Sequence, residues 1–202
     1  MSMTDRMPRG WHSRRYLPHF NGGEILQMVT LREEGSLPRH LVDYWRRRLE
    51  DNRTDEEMAA YLESVESCLD YSDKPSFLAR PDIAAIVQHA LLHFDGLRYR
   101  LLAWVVMSNH AHVVLQPLNP HDLTDILQSW KGWSAREANR VLCRKGRFWS
   151  VDYFDRFIRD EEHLARSIEY IERNPVKVGL CDAPEEWQWS SAKARAGKPA
   201  LH

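Results

Sequence analysis

The 202-residue sequence has few cysteines, no long apolar run and no glycine-rich loop of the kind that cradles phosphates. Its cysteines, Cys68, Cys143 and Cys181, are far apart and odd in number, so they predict neither a disulfide framework nor a cysteine-based zinc site. No apolar run is long enough to span a bilayer, and the N-terminal residues lack the apolar core of a signal peptide. We therefore expect a cytoplasmic protein with no membrane partner.

Composition and charge are those of a globular domain, since 43% of the residues are hydrophobic and 28% are charged. Without internal repeats or low-complexity linkers, one domain over residues 1–202 is predicted. Residues 33–82 hold 7 basic and 13 acidic residues, which leaves 21 basic and 16 acidic residues for a mildly basic remainder that is compatible with a polyanionic partner. Arg14 and Arg15, in a basic and aromatic N-terminal segment, either belong to an arm that packs on the domain or contact phosphates.

Apolar periodicity predicts an α+β fold. The acidic segment is expected to form a helical insertion at about residues 33–80, with the capping box of Thr54 and Glu57 at the start of its second helix. The order of the other elements is typical of a ferredoxin-like antiparallel sheet with helices on one face. These elements are predicted strands at 24–32, 97–107, 111–116 and 148–158, and helices that begin near Pro81, Leu123 and Asp160.

Two histidines separated by one residue lie between two apolar, β-branched runs at 101–117. This spacing places His110 and His112 on the same face of a strand. Two neutral imidazoles side by side on a rigid backbone can hold a metal ion. The alternative is that both are hydrogen-bonded core residues, and the pair alone does not decide between them.

The predicted final helix carries a second pair of polar residues, Tyr170 and Asn174, at a spacing of four. They lie one turn apart on the same helical face. A tyrosine can act as a nucleophile if a neighbouring cation or base favours its phenolate form, and the Asn174 carboxamide could complete a set of metal ligands with His110 and His112. The alternative is that the tyrosine is a core residue and the asparagine ends the helix.

Three motifs follow each other along the chain. Residues 104–114 read Trp-Val-Val-Met-Ser-Asn-His-Ala-His-Val-Val, residues 170–180 read Tyr-Ile-Glu-Arg-Asn-Pro-Val-Lys-Val-Gly-Leu, and residues 187–191 read Trp-Gln-Trp-Ser-Ser. Their combination resembles the single-tyrosine HUH transposases of the insertion-sequence-200-like family, in the REP-associated tyrosine transposase branch of bacteria. The resemblance also includes Leu17-Pro18-His19, Trp130-Lys131 through Asn139, Phe148-Trp149, Asp152-Tyr153-Phe154-Asp155 and Ile158-Arg159-Asp160.

The resemblance implies a site and a reaction. His110 and His112 would be the metal-binding HUH pair, Asn174 the third ligand and Tyr170 the nucleophile. The expected reaction is reversible cleavage of hairpin-bearing single-stranded DNA, with a 5′-phosphotyrosine intermediate and a free 3′-OH, and Mg²⁺ or Mn²⁺ as cofactor. Chains of this family are expected to act as monomers or homodimers.

DNA contacts are expected from basic and aromatic residues near this site. We expect Lys131, Arg140, Arg173 and Lys177 to hold the DNA backbone. Three tryptophans are candidates for stacking on bases, although core packing is favoured for at least one or two of them: Trp130, Trp133 and Trp149.

Two other functions remain open at this point. The first is a domesticated DNA-binding protein on extragenic repeats, with weak or no cleavage. The second is a small zinc hydrolase built on the histidine pair, for which Tyr170 would be dispensable. The hydrolase is disfavoured because the sequence shows no Asp or Glu close to the pair for the role of general base.

Overall fold

The computed structural model describes residues 10–14, 17–21, 23–51, 55–70 and 76–197, and its centre is a four-stranded antiparallel sheet. The strands in chain order are β1 (Gly10–Arg14), β2 (Leu17–Asn21), β3 (Gln27–Arg32), β4 (Tyr99–Val106), β5 (His110–Pro117) and β6 (Phe154–Phe157). The central sheet has the order β4-β5-β3-β6, and β1 and β2 pair with each other as a separate ribbon. The predicted α+β class and antiparallel sheet are confirmed.

Six helices accompany the strands in the described part of the chain. They are α1 (Arg39–Asp51), α2 (Asp55–Asp70), α3 (Pro81–Leu92), α4 (Leu123–Val141), α5 (Glu161–Lys177) and α6 (Ser191–Ala196). The helices α1 and α2 occupy the acidic segment between the first central strand and α3. Over the described ranges, none of the helices is both long and apolar enough to cross a membrane.

Alternate residues of β5 face opposite sides of the sheet, as the two-residue period of a strand requires. Ala111 and Val113 belong to the core that α3 and α4 cover, whereas Val114 belongs to a second core with Ile171 of α5. His110 and His112 share the face of Val114 and therefore point toward α5. The sequence predicted helices on one face, and the structure adds α5 on the other.

The inserted helix α2 covers the same sheet face as α5. It packs through Tyr61, Val65 and Leu69 against Phe154 of β6, and the Tyr61 and Phe154 rings meet edge to face at 5.4 Å between centroids. Phe154 lies opposite Thr30 in the β3–β6 register, so it shares the face on which the histidines lie. The histidine pair therefore lies between α2 and α5.

The segment after α5 returns to the outer edge of β4. The Val106 amide donates a hydrogen bond to the Trp189 carbonyl at 2.8 Å, and the Trp187 indole donates to the Val106 carbonyl at 3.0 Å. Ser190 then caps α6, since its hydroxyl accepts from the Lys193 amide. The Trp-Gln-Trp-Ser-Ser motif thus satisfies backbone groups that an edge strand would otherwise leave open.

The Tyr99 hydroxyl joins β4, α3 and α4 in the buried core, and this contact gives a stability prediction. The hydroxyl donates to the Leu91 carbonyl at 2.7 Å and accepts from the Trp130 indole at 2.9 Å. Tyr99→Phe leaves the Trp130 N–H without an acceptor, so we expect a loss of about 2 kcal/mol in the free energy of unfolding, measured with urea. Leu97→Ala, at a side chain that is 72% exposed, should change it by less than about 0.5 kcal/mol. Equal effects of the two changes would contradict this role of the hydroxyl.

Candidate active site

The two histidine rings of β5 converge through one nitrogen each. The Nε2 atoms of His110 and His112 lie 3.0 Å apart, and both side chains are almost completely buried, at 1% and 0% exposure. The opposite nitrogens are held by neighbours, since His110 Nδ1 lies 2.6 Å from Asn109 Oδ1 and His112 Nδ1 lies 2.8 Å from Thr30 Oγ1. These two hydrogen bonds fix the ring orientations and direct both Nε2 atoms toward one point.

The hydrogen-bond partners also constrain the tautomers. The Asn109 amide nitrogen donates to the Leu69 carbonyl at 2.9 Å, so its oxygen faces His110 and can only accept. His110 therefore carries its proton on Nδ1 and presents a lone pair at Nε2. A hydroxyl can donate or accept, so rotation of the Thr30 O–H allows His112 either to donate from Nε2 to His110 or to present a second lone pair. The site can thus offer two ligand nitrogens without movement of the rings.

Both imidazoles are neutral near pH 7. Burial lowers the pKa of His110 to about 3, and the nearby Lys177 ammonium acts in the same direction. Burial also lowers the pKa of His112 well below its usual value, with a smaller contribution from His110. Neutral imidazole is the form that binds a metal ion, so the environment keeps the pair ready for one.

A carboxylate from the inserted helix completes this group. Asp70, the last residue of α2, places Oδ1 3.8 Å from His110 Nε2, and its side chain is fully buried. Its Oδ2 accepts a hydrogen bond from Lys177 Nζ at 2.7 Å, whereas Oδ1 has no hydrogen-bond partner among the described residues. One ligand atom from each of Asp70, His110 and His112 lies within 4.8 Å of the others. Sequence reasoning missed Asp70, because it lies in the insertion and no local spacing connects it with the histidines.

Tyr170 faces this group from α5, and Asn174 follows it one helical turn later. The Tyr170 ring lies 5.6 Å from the His112 ring, edge to face. The Tyr170 hydroxyl and both polar atoms of the Asn174 carboxamide are buried, and no described residue makes a hydrogen bond with them. Burial raises the pKa of Tyr170, and the carboxylates of Glu66 and Asp70 raise it further. The phenol is therefore neutral in this conformation and needs a proton acceptor in order to react.

The unpaired buried atoms fit a divalent cation. Leaving a buried polar atom without a partner is costly, yet among the described residues Asp70 Oδ1 has none beside the two imidazole nitrogens, and Asn174 Oδ1 has none on α5. Neighbouring ligands of an octahedral ion at ~2.1 Å lie ~3.0 Å apart, which matches the separation of the two Nε2 atoms. Ligands of a tetrahedral ion would lie ~3.4 Å apart. Nitrogen and oxygen donors at this spacing suit a divalent cation.

The other predicted site residues fall into two groups. Arg173 and Lys177 line an open cleft of about 400 Å³ beside Tyr170, and Lys177 Nζ lies 5.7 Å from the centre of its ring. Lys131 and Arg140 lie on α4, beyond the opposite face of the sheet, where Arg140 pairs with Glu137 at 2.8 Å.

Arg14, Arg15 and the three tryptophans are the other residues for which DNA contacts were predicted. Arg14 lies in β1 with no described side-chain position, and Arg15 lies outside the described residues. Trp130 and Trp149 are buried in the core, as expected for one or two of the tryptophans, while Trp133 is only partly buried.

Comparison with known proteins gives consistent matches. Residues 81–174 match the protein family described as "Transposase IS200 like". The chain is 26% identical over 103 residues to a REP-associated tyrosine transposase of Haemophilus influenzae, and 23% identical over 107 residues to one of Escherichia coli K12. These alignments cover 46% and 52% of this chain. The resemblance that the motifs predicted is thereby confirmed.

The matched relatives are longer than the part of them that this chain spans. The chain spans 58% and 62% of the lengths of these two relatives. A solved structure, entitled "Structure of the REP associates tyrosine transposase bound to a REP hairpin", superimposes with a TM-score of 0.53 at 16% identity. That superposition covers 93% of this chain and 87% of the other, and it shows a shared fold. The family match includes Tyr170 and both histidines, whereas Asp70 precedes it.

The ion pair between Lys177 and Asp70 gives the second stability prediction. Lys177→Met leaves the fully buried Asp70 carboxylate without its cation, and we expect a loss of about 2 kcal/mol in the free energy of unfolding without added metal. Adding Asp70→Asn should recover part of that loss in a double-mutant cycle. Arg166→Met removes the exposed pair with Glu162 and should cost less than about 1 kcal/mol. Strictly additive effects at Lys177 and Asp70 would contradict the pairing.

Proposed function

We propose that this chain, whose residues 81–174 match the IS200-like transposase family, cuts and rejoins single-stranded DNA through Tyr170. The observation that supports the proposal is the meeting of three elements at one buried point. There β5 provides the histidine pair, α5 provides Tyr170, and α2 provides Asp70. This arrangement combines a nucleophile with a place for a Lewis acid, which are the two requirements of metal-assisted phosphodiester cleavage.

His110, His112, Asn174 and Asp70 would hold Mg²⁺ or Mn²⁺. When bound, such an ion polarises the scissile phosphate and stabilises the charge on the leaving 3′ oxygen. Thr30 and the Asn109 side chain orient the two histidines, so the rings lose their rotational freedom on folding and not when the ion binds.

Tyr170 would supply the covalent step. Its phenolic oxygen attacks the phosphorus, the bond to the 3′ oxygen breaks, and that oxygen takes a proton from water, so the products are a 5′-phosphotyrosine and a free 3′-OH. The phenolic proton must leave, and the neighbouring Glu66 carboxylate of α2 is the base we assign to it, since burial raises the pKa of that carboxyl. One phosphate ester replaces another, so the reaction needs no nucleotide cofactor, and the same ester can be attacked in reverse by a 3′-OH.

The substrate we propose is single-stranded DNA that carries hairpins. One solved protein of this fold, a tyrosine transposase, is bound to a REP hairpin. In this chain, the cleft beside Tyr170 is lined by three cations, Arg166, Arg173 and Lys177, and one carboxylate, Glu169, so its net positive charge suits a phosphate backbone. Because the Tyr170 hydroxyl is buried, either its side chain or the contact between Lys177 and Asp70 must move before a phosphate can reach it. A monomer or a homodimer could present this site.

A second candidate function is DNA binding with weak or no cleavage. The observation that favours it is the same burial of the Tyr170 hydroxyl, next to carboxylates that oppose loss of its proton. In that case the basic cleft would bind the hairpin, and the tyrosine would remain closed off from the phosphate.

Incubation with labelled hairpin oligonucleotides from repeats flanking the gene, with Mn²⁺ or Mg²⁺, tests the proposal. We expect a cut strand and a protein–DNA adduct that survives denaturation, both lost in Tyr170→Phe and His110→Ala. Tyr99→Phe, assayed where it remains folded, is the matched control and should form the adduct. Cutting by Tyr170→Phe would mean that the nucleophile lies elsewhere, and binding without cutting by every protein would support the second candidate.

Titration calorimetry with Mn²⁺, without DNA, tests the ligands separately from activity. We expect His112→Ala to remove measurable binding, and Asp70→Asn and Asn174→Ala to weaken it about tenfold each. Thr30→Val, which removes only the hydroxyl that orients His112, should also weaken binding about tenfold. His89→Ala, at an exposed histidine of α3, is the control and should bind like the unaltered protein. Unchanged binding by His112→Ala would place the metal elsewhere.

A further inference from the structure

A cavity of about 750 Å³ lies between α4 and the segment 146–153, on the sheet face opposite Tyr170. We call it the α4 cavity. Two of the motifs that carried the resemblance meet there, since Lys131 follows Trp130 on α4, and Phe148 to Tyr153 form the other wall. The proposed chemistry uses neither motif, so their convergence calls for a separate explanation.

The α4 cavity has the surface that a nucleobase requires. Its lining is largely apolar and includes the buried side chains of Leu127, Trp149 and Tyr153. The Trp149 ring is fixed, because its indole donates to the Ser134 hydroxyl at 2.9 Å. Because these rings are more than nine-tenths buried, they form a fixed apolar floor rather than free ring faces, and a base that packs on this floor costs the protein little conformational entropy. Gln128 and Asp152, on opposite walls, offer polar groups for the edge of a base.

The charges around the α4 cavity suit a phosphodiester. Lys131 Nζ donates to the carbonyls of Ser150 and Val151, at 2.7 and 2.9 Å, and no carboxylate of the described residues lies within 4 Å of it. Arg147 is 57% exposed and makes only a long contact with Glu34, at 3.7 Å. Two cations and one carboxylate, that of Asp152, leave the lining with a net positive charge.

The α4 cavity is also close to the candidate active site. The Ser150 amide donates to the Arg32 carbonyl at 2.9 Å, and Arg32 lies opposite His110 in the β3–β5 register. Since neighbouring strands are about 4.8 Å apart, the backbone of the cavity wall lies roughly 10 Å from the backbone of His110. A short stretch of single-stranded DNA can span that distance around the end of the sheet.

We propose that the α4 cavity binds one unpaired nucleobase of the single-stranded DNA beside the scissile phosphate. Trp149 and Tyr153 form the apolar floor on which the base packs, and Lys131 and Arg147 lie near its phosphate. This inference rests on the proposed function, because it concerns the same DNA strand, and it adds a recognition site for the flank of the hairpin.

Gly132 allows the α4 cavity to be filled without disturbing the helix. An added Cβ at Gly132 meets only the end of the Arg136 side chain, at 3.9 Å, and leucine is a better helix former than glycine. Gly132→Leu and Gly132→Met are therefore two filling variants, and Gly132→Ala is the matched control. Gly132 also borders a second cavity lined by His89 and Trp133, so His89→Ala reports on that neighbour.

The test is binding by fluorescence anisotropy, with Tyr170→Phe as the starting protein so that no strand is cut. The probes are the hairpin oligonucleotides of the cleavage assay, with each flanking nucleotide replaced in turn by an abasic one. We expect one position at which loss of the base weakens binding about tenfold. At that position the filling variants should bind the intact and abasic strands equally, whereas Gly132→Ala and His89→Ala should still distinguish them.

The outcomes separate this inference from the proposed function. Coupling between one flanking base and Gly132→Leu, without any covalent adduct in the cleavage assay, would support the nucleobase site and overturn the nuclease. An adduct with no coupled position would overturn the nucleobase site alone, as would coupling to His89→Ala instead. Absence of binding to every strand would overturn both.

Discussion

The candidate active site depends on two hydrogen bonds that hold the outer nitrogens of a pair of buried imidazoles. Asn109 and Thr30 fix the rings of His110 and His112 through their Nδ1 atoms, and this orientation brings the two Nε2 atoms together. Asn109 is itself fixed by the end of α2 through the Leu69 carbonyl. The inserted helix therefore contributes to the ring geometry as well as to the group of possible ligands.

Electrostatics give this group its character. The imidazoles are uncharged because they are buried, and the buried carboxylate of Asp70 is neutralised by one partly exposed ammonium, that of Lys177. The remaining negative charge of the carboxylates near Tyr170 must be neutralised, either by a divalent cation or by protonation. The acidic insertion contributes the carboxylates of Glu66 and Asp70 to this region, so negative charge lies close to the place where a cation would bind.

Periodicity predicted the parts of this site that lie within single elements. The two-residue period placed His110 and His112 on one strand face, and the four-residue spacing placed Tyr170 and Asn174 on one helix face. Asp70 was beyond such reasoning, because its position depends on how Tyr61, Val65 and Leu69 pack on β6. The predicted first strand began three residues early, at Glu24, since apolar side chains continue before the ladder starts at Gln27. Lys131 was predicted to hold DNA, but the sequence could not show that its ammonium donates hydrogen bonds to the Ser150 and Val151 carbonyls, because those contacts depend on how the chain packs.

The return of the chain to β4 after α5 has a topological consequence. The helix that carries Tyr170 is followed by a segment tied to its own sheet through Val106, Trp187 and Trp189. Two copies that exchanged this helix would have to break that edge pairing in each subunit or stretch the link at 178–186. In this structure the tyrosine faces histidines of its own polypeptide, and the edge pairing after α5 favours that arrangement over an exchange of helices between copies.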